Sequence, residues 1–208
     1  RTDMANVVAD LGTRWEVLHV TPKIYQTAGY NCPVIDLMTQ IRSRHELSAP
    51  DVTQITVDMN WLETLYPSPE FPNTERNAAS VGSTHYFTAY TFVHGFYPPL
   101  KARIIPDMEG DAEEQQVLDL LQKVEVIGHK DRPAFAPHIA IQMRDGTTYE
   151  GEYNGTELQW GLETEISRIS ELFSDMDWPR EKLEALVQTV STLEEQPSID
   201  SMIQLCVR

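Results

Sequence analysis

His138-Ile139-Ala140-Ile141-Gln142-Met143 and Thr148-Tyr149-Glu150-Gly151-Glu152-Tyr153 stand on either side of Arg144-Asp145-Gly146-Thr147. Two alternating runs around Asp-Gly predict a β-hairpin, because those two residues tolerate the backbone that reverses a twisted antiparallel pair. An antiparallel pair so late in the chain argues against a parallel doubly wound sheet and sets the frame for the other elements.

Upstream of the hairpin, Glu113 to Val124 carries Val117, Leu118, Leu120, Leu121 and Val124 at helical spacing. Its acidic start suits the positive end of a helix. Ser80 to Phe96 mixes Tyr86, Phe87, Tyr90, Phe92 and Val93 with Thr, Ala and His, and predicts a mostly buried helix that ends at Gly95, before Tyr97-Pro98-Pro99. Tyr66 to Asn77 contains Pro67, Pro69 and Pro72, which fix φ and remove donors, so a surface loop is expected there. Val52 to Met59 alternates with period two after Pro50-Asp51 and predicts a strand.

Further back, Pro33 to Glu46 places Val34, Ile35, Leu37, Met38 and Ile41 on one helical stripe, with Gln40, Arg42 and Arg44 on the other. Arg14 to Val20 alternates as a first strand, interrupted at Pro22. Downstream, Leu162, Ile166, Ile169, Leu172 and Phe173 predict a helix, Pro179 opens a second over Arg180 to Leu193, and Ile199 to Val207 follows Gln196-Pro197-Ser198 as a third. The expected architecture is α+β, a small antiparallel sheet packed with helices and followed by C-terminal helices. The division expected is an α+β unit over 1–155 and closing helices over 156–208.

The 208 residues carry 32 Asp plus Glu against 16 Lys plus Arg, a net charge of −16, which opposes binding to a phosphate backbone and excludes nucleic acid as an expected partner. Apolar residues at 41% and charged residues at 23% fit a folded domain. Cys32 and Cys206 form neither a disulfide framework nor a metal spacing, so a reducing cytoplasmic setting is expected. No apolar run reaches the ~18 residues that span a bilayer, and no membrane is expected. The chain starts at Arg1 without an apolar leader, and the expectation is a fragment of a longer protein.

The chemistry concentrates in Lys23-Ile24-Tyr25-Gln26-Thr27-Ala28-Gly29-Tyr30-Asn31-Cys32-Pro33-Val34-Ile35-Asp36 and its later echo Gly82-Ser83-Thr84-His85-Tyr86-Phe87. A lysine leaves a Pro-preceded stretch, and a Gly-Tyr-Asn-Cys-Pro turn opens a helix with Pro33 at its first position. Such a junction is an anion-facing corner, where an ammonium supplies a point charge with three donors. The plain alternative for Lys23 is a solvated surface lysine. Tyr86 suits a proton donor better than a base because its ordinary pKa is about 10, and its plain alternative is a core aromatic. His85 and Cys32 are further lining candidates, a hydrogen-bonded structural histidine being the alternative for His85. His85 and His94 lie nine positions apart, not the i, i+4 spacing of a helical metal pair, so no metal is expected.

In three ordered features the chain resembles the C-terminal part of the MmgE/PrpD family, which includes 2-methylcitrate dehydratase and cis-aconitate decarboxylase. They are Leu11-Gly12-Thr13-Arg14-Trp15 followed by Lys23 and a helix with Asp36, then Ser83-Thr84-His85-Tyr86 leading to Gly95, then the Asp145-Gly146 hairpin. The resemblance implies the lid portion of a cofactor-free lyase or isomerase that acts on a small di- or tricarboxylate by dehydration, decarboxylation or epimerisation. It also implies a usual homodimer and an all-helical N-terminal domain against which this chain closes. Lys23 then matches the lysine that meets a substrate carboxylate, and Tyr86 a tyrosine of the cleft. The chain departs from its relatives at Ala28 and Cys32, in a turn where they often place a histidine, and it lacks their Asn-Pro pattern after the hairpin. The alternative function is a non-catalytic binding or assembly module that keeps the fold.

Overall fold

A computed structural model describes residues 9–13, 15, 20–25, 27–65, 83–97, 112–176 and 178–207, without the side chains of Glu114 and Asp175. The proline loop expected over 66–77 lies outside the described residues, as does the strand expected over 14–20 apart from Trp15 and Val20. Helix α1 (Asn31–Arg44) leads into β1 (Val52–Asn60) and the single turn α2 (Trp61–Thr64). Then come α3 (Thr84–His94), α4 (Ala112–Leu121), β2 (Val124–His129) and the hairpin β3 (His138–Met143) and β4 (Thr148–Glu152). The helices α5 (Leu162–Glu171), α6 (Arg180–Ser191) and α7 (Asp200–Cys206) close the chain. The class is α+β, with C-terminal helices as expected.

The sheet has the order β2-β1-β3-β4. The hairpin pairs antiparallel, with Ile141 opposite Tyr149, and β3 pairs antiparallel with β1, with Val57 opposite Ile139. At the other edge β2 runs parallel to β1, with Ile55 in register with Val124. The sheet is therefore mixed rather than wholly antiparallel. The reason is connectivity: β1 and β2 are joined through a crossover that carries α3 and α4, and only such a long connection returns a strand in the same direction. The helix expected to run to Val124 stops at Leu121, and Lys123 anchors the new edge by donating its ammonium to the Val52 carbonyl at 2.7 Å.

One face of the sheet is apolar and the other wet. Ile55, Val57 and Met59 of β1 and Ile139 and Ile141 of β3 are fully buried beneath the helices, whereas Thr56, Asp58, His138 and Ala140 share the opposite face. Burying one such aliphatic side chain contributes about 1.5–3 kcal/mol, so this alternation fixes the register. The α1 residues Val34, Ile35 and Met38 are fully buried in the same core. Close approach is needed here: a Cβ on Gly151 of β4 would meet Leu37 Cδ1 at 2.8 Å.

Helix α3 starts at Ser83, whose hydroxyl accepts from the Tyr86 N–H at 3.1 Å, and ends at Gly95, as expected from the sequence. The closing helices are not a separate layer throughout. Arg168 of α5 reaches Asp36 of α1 at 3.2 Å, and Leu172 joins the main core cluster. Farther on, α6 and α7 pack together and leave Leu162, Ile199, Ile203 and Val207 exposed along the closing segment. Among the described residues no helix is long and apolar enough to cross a membrane.

Candidate functional site

The turn that opens α1 is built from its own backbone. Thr27 N–H donates to the Tyr25 carbonyl at 2.9 Å, Asn31 N–H to Ala28 at 2.9 Å, and Cys32 N–H to Gly29 at 3.1 Å. The helix begins at Asn31, so Pro33 is its third residue rather than its first; with these N–H groups bonded and Pro33 lacking one, the first turn of α1 offers an anion its positive field rather than spare donors. Lys23 supplies donors instead. Its side chain is exposed, and its ammonium donates to the Thr27 carbonyl at 3.0 Å, which arches the lysine over the turn. An ammonium has three donors, so this bond leaves capacity for a ligand.

Buried polar contacts bring a second helix start to the same place. The Asn31 amide donates to the Thr27 hydroxyl at 3.0 Å, and the Thr84 hydroxyl donates to the Asn31 carbonyl oxygen at 2.8 Å. The starts of α1 and α3 therefore meet beside the Lys23 arch, two positive helix ends next to one ammonium. Beneath them runs a column of rings. Tyr25 stacks on Tyr97 at 4.8 Å, Tyr97 on Phe87 at 5.9 Å, and Phe87 meets Tyr86 edge-on at 5.5 Å.

Lys23 and Cys32 are brought together, whereas Tyr86 ends the column of rings. Tyr86 is only 3% exposed, with Tyr90 as another neighbour at 5.8 Å, so its environment is that of a core aromatic. Cys32 is buried, and burial pushes its thiol up to about 11 while the nearby Lys23 charge pulls the other way. It is thus a neutral lining group near pH 7 rather than a nucleophile. His85 is half-buried, and desolvation lowers its pKa, which favours the neutral ring. His94 faces elsewhere, 3.6 Å from Glu113 of α4 and 4.1 Å from the Tyr90 ring. Among the described residues no group of three or more His, Cys, Asp or Glu side chains could hold a metal ion.

Two polar clusters escaped the sequence reading. Asp36, buried inside α1, accepts from the Tyr153 hydroxyl and from Gln40 at 3.2 Å, and pairs with Arg168, whose guanidinium also lies over Trp160 at 5.5 Å. Burial, then the hydrogen bond to Asp36, raises the Tyr153 pKa well above its ordinary value. On the wet face of the sheet, Asp58 bonds His129 at 2.6 Å and His138 at 2.9 Å. Burial alone would raise the Asp58 pKa, but the two imidazole hydrogen bonds and their charge outweigh it and hold the carboxyl below its usual range. The alternation of β1 and β3 puts Asp58 and His138 on one face, a signal that becomes useful only once the register is known. Below this cluster a polar cavity of ≈ 260 Å³ is lined by His129, Asp131, Arg132, Pro133 and Glu152.

No protein-family model matches the chain, and no curated protein matches it.

Proposed function

We propose that this chain is the lid-bearing portion of a cofactor-free lyase or isomerase of the MmgE/PrpD type, acting on a small di- or tricarboxylate. The observation that carries this reading is the exposed Lys23 ammonium bonded over the turn where the starts of α1 and α3 meet. A substrate carboxylate bound there gains a charge-assisted hydrogen bond from Lys23 and the field of two helix ends. Tyr86, on the first turn of α3, is the proton donor of this reading. The remaining groups of the site, the base included, come from an N-terminal helical domain in a cytoplasmic homodimer. Dehydration, decarboxylation and epimerisation all share the carboxylate clamp assigned to Lys23.

The burial of Tyr86 favours a second reading, a non-catalytic binding or assembly module in which the phenol only packs. Calorimetric titration of the complete protein with citrate separates the two. The enzyme reading expects saturable binding that Lys23→Ala weakens at least tenfold, with a matching fall in kcat/KM; an unchanged titration removes the clamp assignment.

A further inference from the structure

Among the described residues, the other arginines that leave bulk water find a carboxylate: Arg132 pairs with Glu152 at 2.9 Å and Arg168 with Asp36 at 3.2 Å. Arg42, in the last turn of α1, has none. It is half-buried, and its guanidinium makes a single hydrogen bond among the described residues, to the Leu47 carbonyl. Its Nε is buried without a partner, and the loss of water lowers its pKa, although an arginine stays charged. Taking a charge out of water is costly unless it is paired, and 32 Asp plus Glu against 16 Lys plus Arg give this chain acids to spare. The negative end of α1 offsets part of that cost, but a field fills no donor.

The guanidinium stands at a cavity of ≈ 270 Å³ where the ends of α1 and α3 meet α4. Ser48 and Gln116 line it as polar groups, and Leu47, Phe92 and Val93 as apolar ones. One face of the guanidinium is covered, since its carbon lies 5.0 Å from the centroid of the Phe92 ring. The edge, with its parallel N–H bonds, is the part suited to a planar acceptor. The Ser48 hydroxyl makes no capping bond to the turn it precedes and keeps its donor for the cavity.

We propose that this cavity binds a small monocarboxylate with an apolar body: the Arg42 fork takes the carboxylate, and Leu47, Phe92 and Val93 take the carbon skeleton. One cation matches one negative charge, and the apolar walls disfavour a compact polyanion such as phosphate. The site is separate from the clamp assigned to Lys23, because Arg42 lies eleven residues beyond Asn31, about 16 Å along α1.

The test is calorimetric titration of the complete protein carrying Lys23→Ala, which silences the corner at the other end of α1. Benzoate is the probe; benzyl alcohol, the same ring without the charge, and inorganic phosphate are the controls. The expected result is saturable benzoate binding that neither control matches and that a further Arg42→Met weakens about tenfold or more. Methionine keeps an apolar stem beside Phe92 and removes the fork. No saturable benzoate binding, equal binding of phosphate or benzyl alcohol, or an affinity kept in Arg42→Met overturns the site and leaves the Lys23 clamp untouched. Arg42 also holds the Leu47 carbonyl, so a second measurement avoids the variant. Phenylglyoxal modification of Arg42 in the unmutated protein, read by peptide mass spectrometry, is expected to slow several-fold with benzoate and not with benzyl alcohol. An Arg42 that resists the reagent in the free protein, or reacts as fast with benzoate present, overturns the proposal as well.

Discussion

The Thr84 hydroxyl donates to the side-chain oxygen of Asn31 at 2.8 Å, across 53 positions of sequence, and both side chains are almost wholly buried. This bond joins the first turns of two helices and, through the Asn31 to Thr27 bond, connects them to the lysine arch. The corner is therefore a product of buried polar pairing as much as of charge.

Asn31→Ala removes the amide and leaves the Thr27 and Thr84 hydroxyls without it in a dry site. A loss of about 1–3 kcal/mol is expected from urea unfolding, together with weaker citrate binding, since the turn under Lys23 loosens. Unchanged stability in this variant would show that the two helix starts are held together by apolar packing.

Arg168→Met retains an aliphatic stem over Trp160 but strips the Asp36 carboxylate of its cation. Breaking a buried pair costs about 3–5 kcal/mol, and because the arginine side chain is 31% exposed a smaller loss of about 2 kcal/mol is expected. In a double-mutant cycle with Asp36→Asn the two losses are expected to be strongly non-additive. Additive losses would mean that Tyr153 and Gln40 alone satisfy Asp36.

The Asp58 cluster makes stability depend on pH. A carboxyl whose folded pKa lies below its unfolded value stabilises the fold above the unfolded pKa, and this contribution is lost as pH falls through the folded one. Asp58→Asn is therefore expected to cost about 1–3 kcal/mol near neutral pH, from lost hydrogen bonds to a charged group, and the gap to wild type is expected to close below about pH 4. Thermal melts of both proteins from pH 7 to pH 3 check it. A gap that persists in acid would mean the carboxylate charge is not what the two histidines hold.

Tyr86→Phe deletes one oxygen from a buried ring. On the lyase or isomerase reading proposed above, in which the phenol transfers a proton, kcat/KM is expected to fall by about 10²-fold or more while the melting temperature moves little. A lowered melting temperature with kinetics unchanged assigns the hydroxyl to the core.

The parts of the fold that could be read in advance have local signals. Asp145-Gly146 announces the hairpin, Gly95 the end of α3, and the alternation from Val52 the central strand, because each pattern lies within one element. Strand β2 was missed because Val124 continues the apolar spacing of α4, and its true partner, Ile55, lies 69 positions earlier across a crossover. The Asp58 cluster needs the pairing of three strands, which no local residue pattern announces. At the corner itself, the turn residues Gly29 to Pro33 announce the helix start. The sequence could not tell that Tyr86 turns inward, since its helix is aromatic on nearly every side.

Cys32 is buried in the first turn of α1, whereas Cys206 on α7 is open to solvent. The molecule therefore carries two thiols with opposite access to an alkylating reagent. The outer one reacts on contact and measures the reagent. The inner one reacts only when the first turn of α1 opens, so its modification rate times that opening without any label having to be introduced.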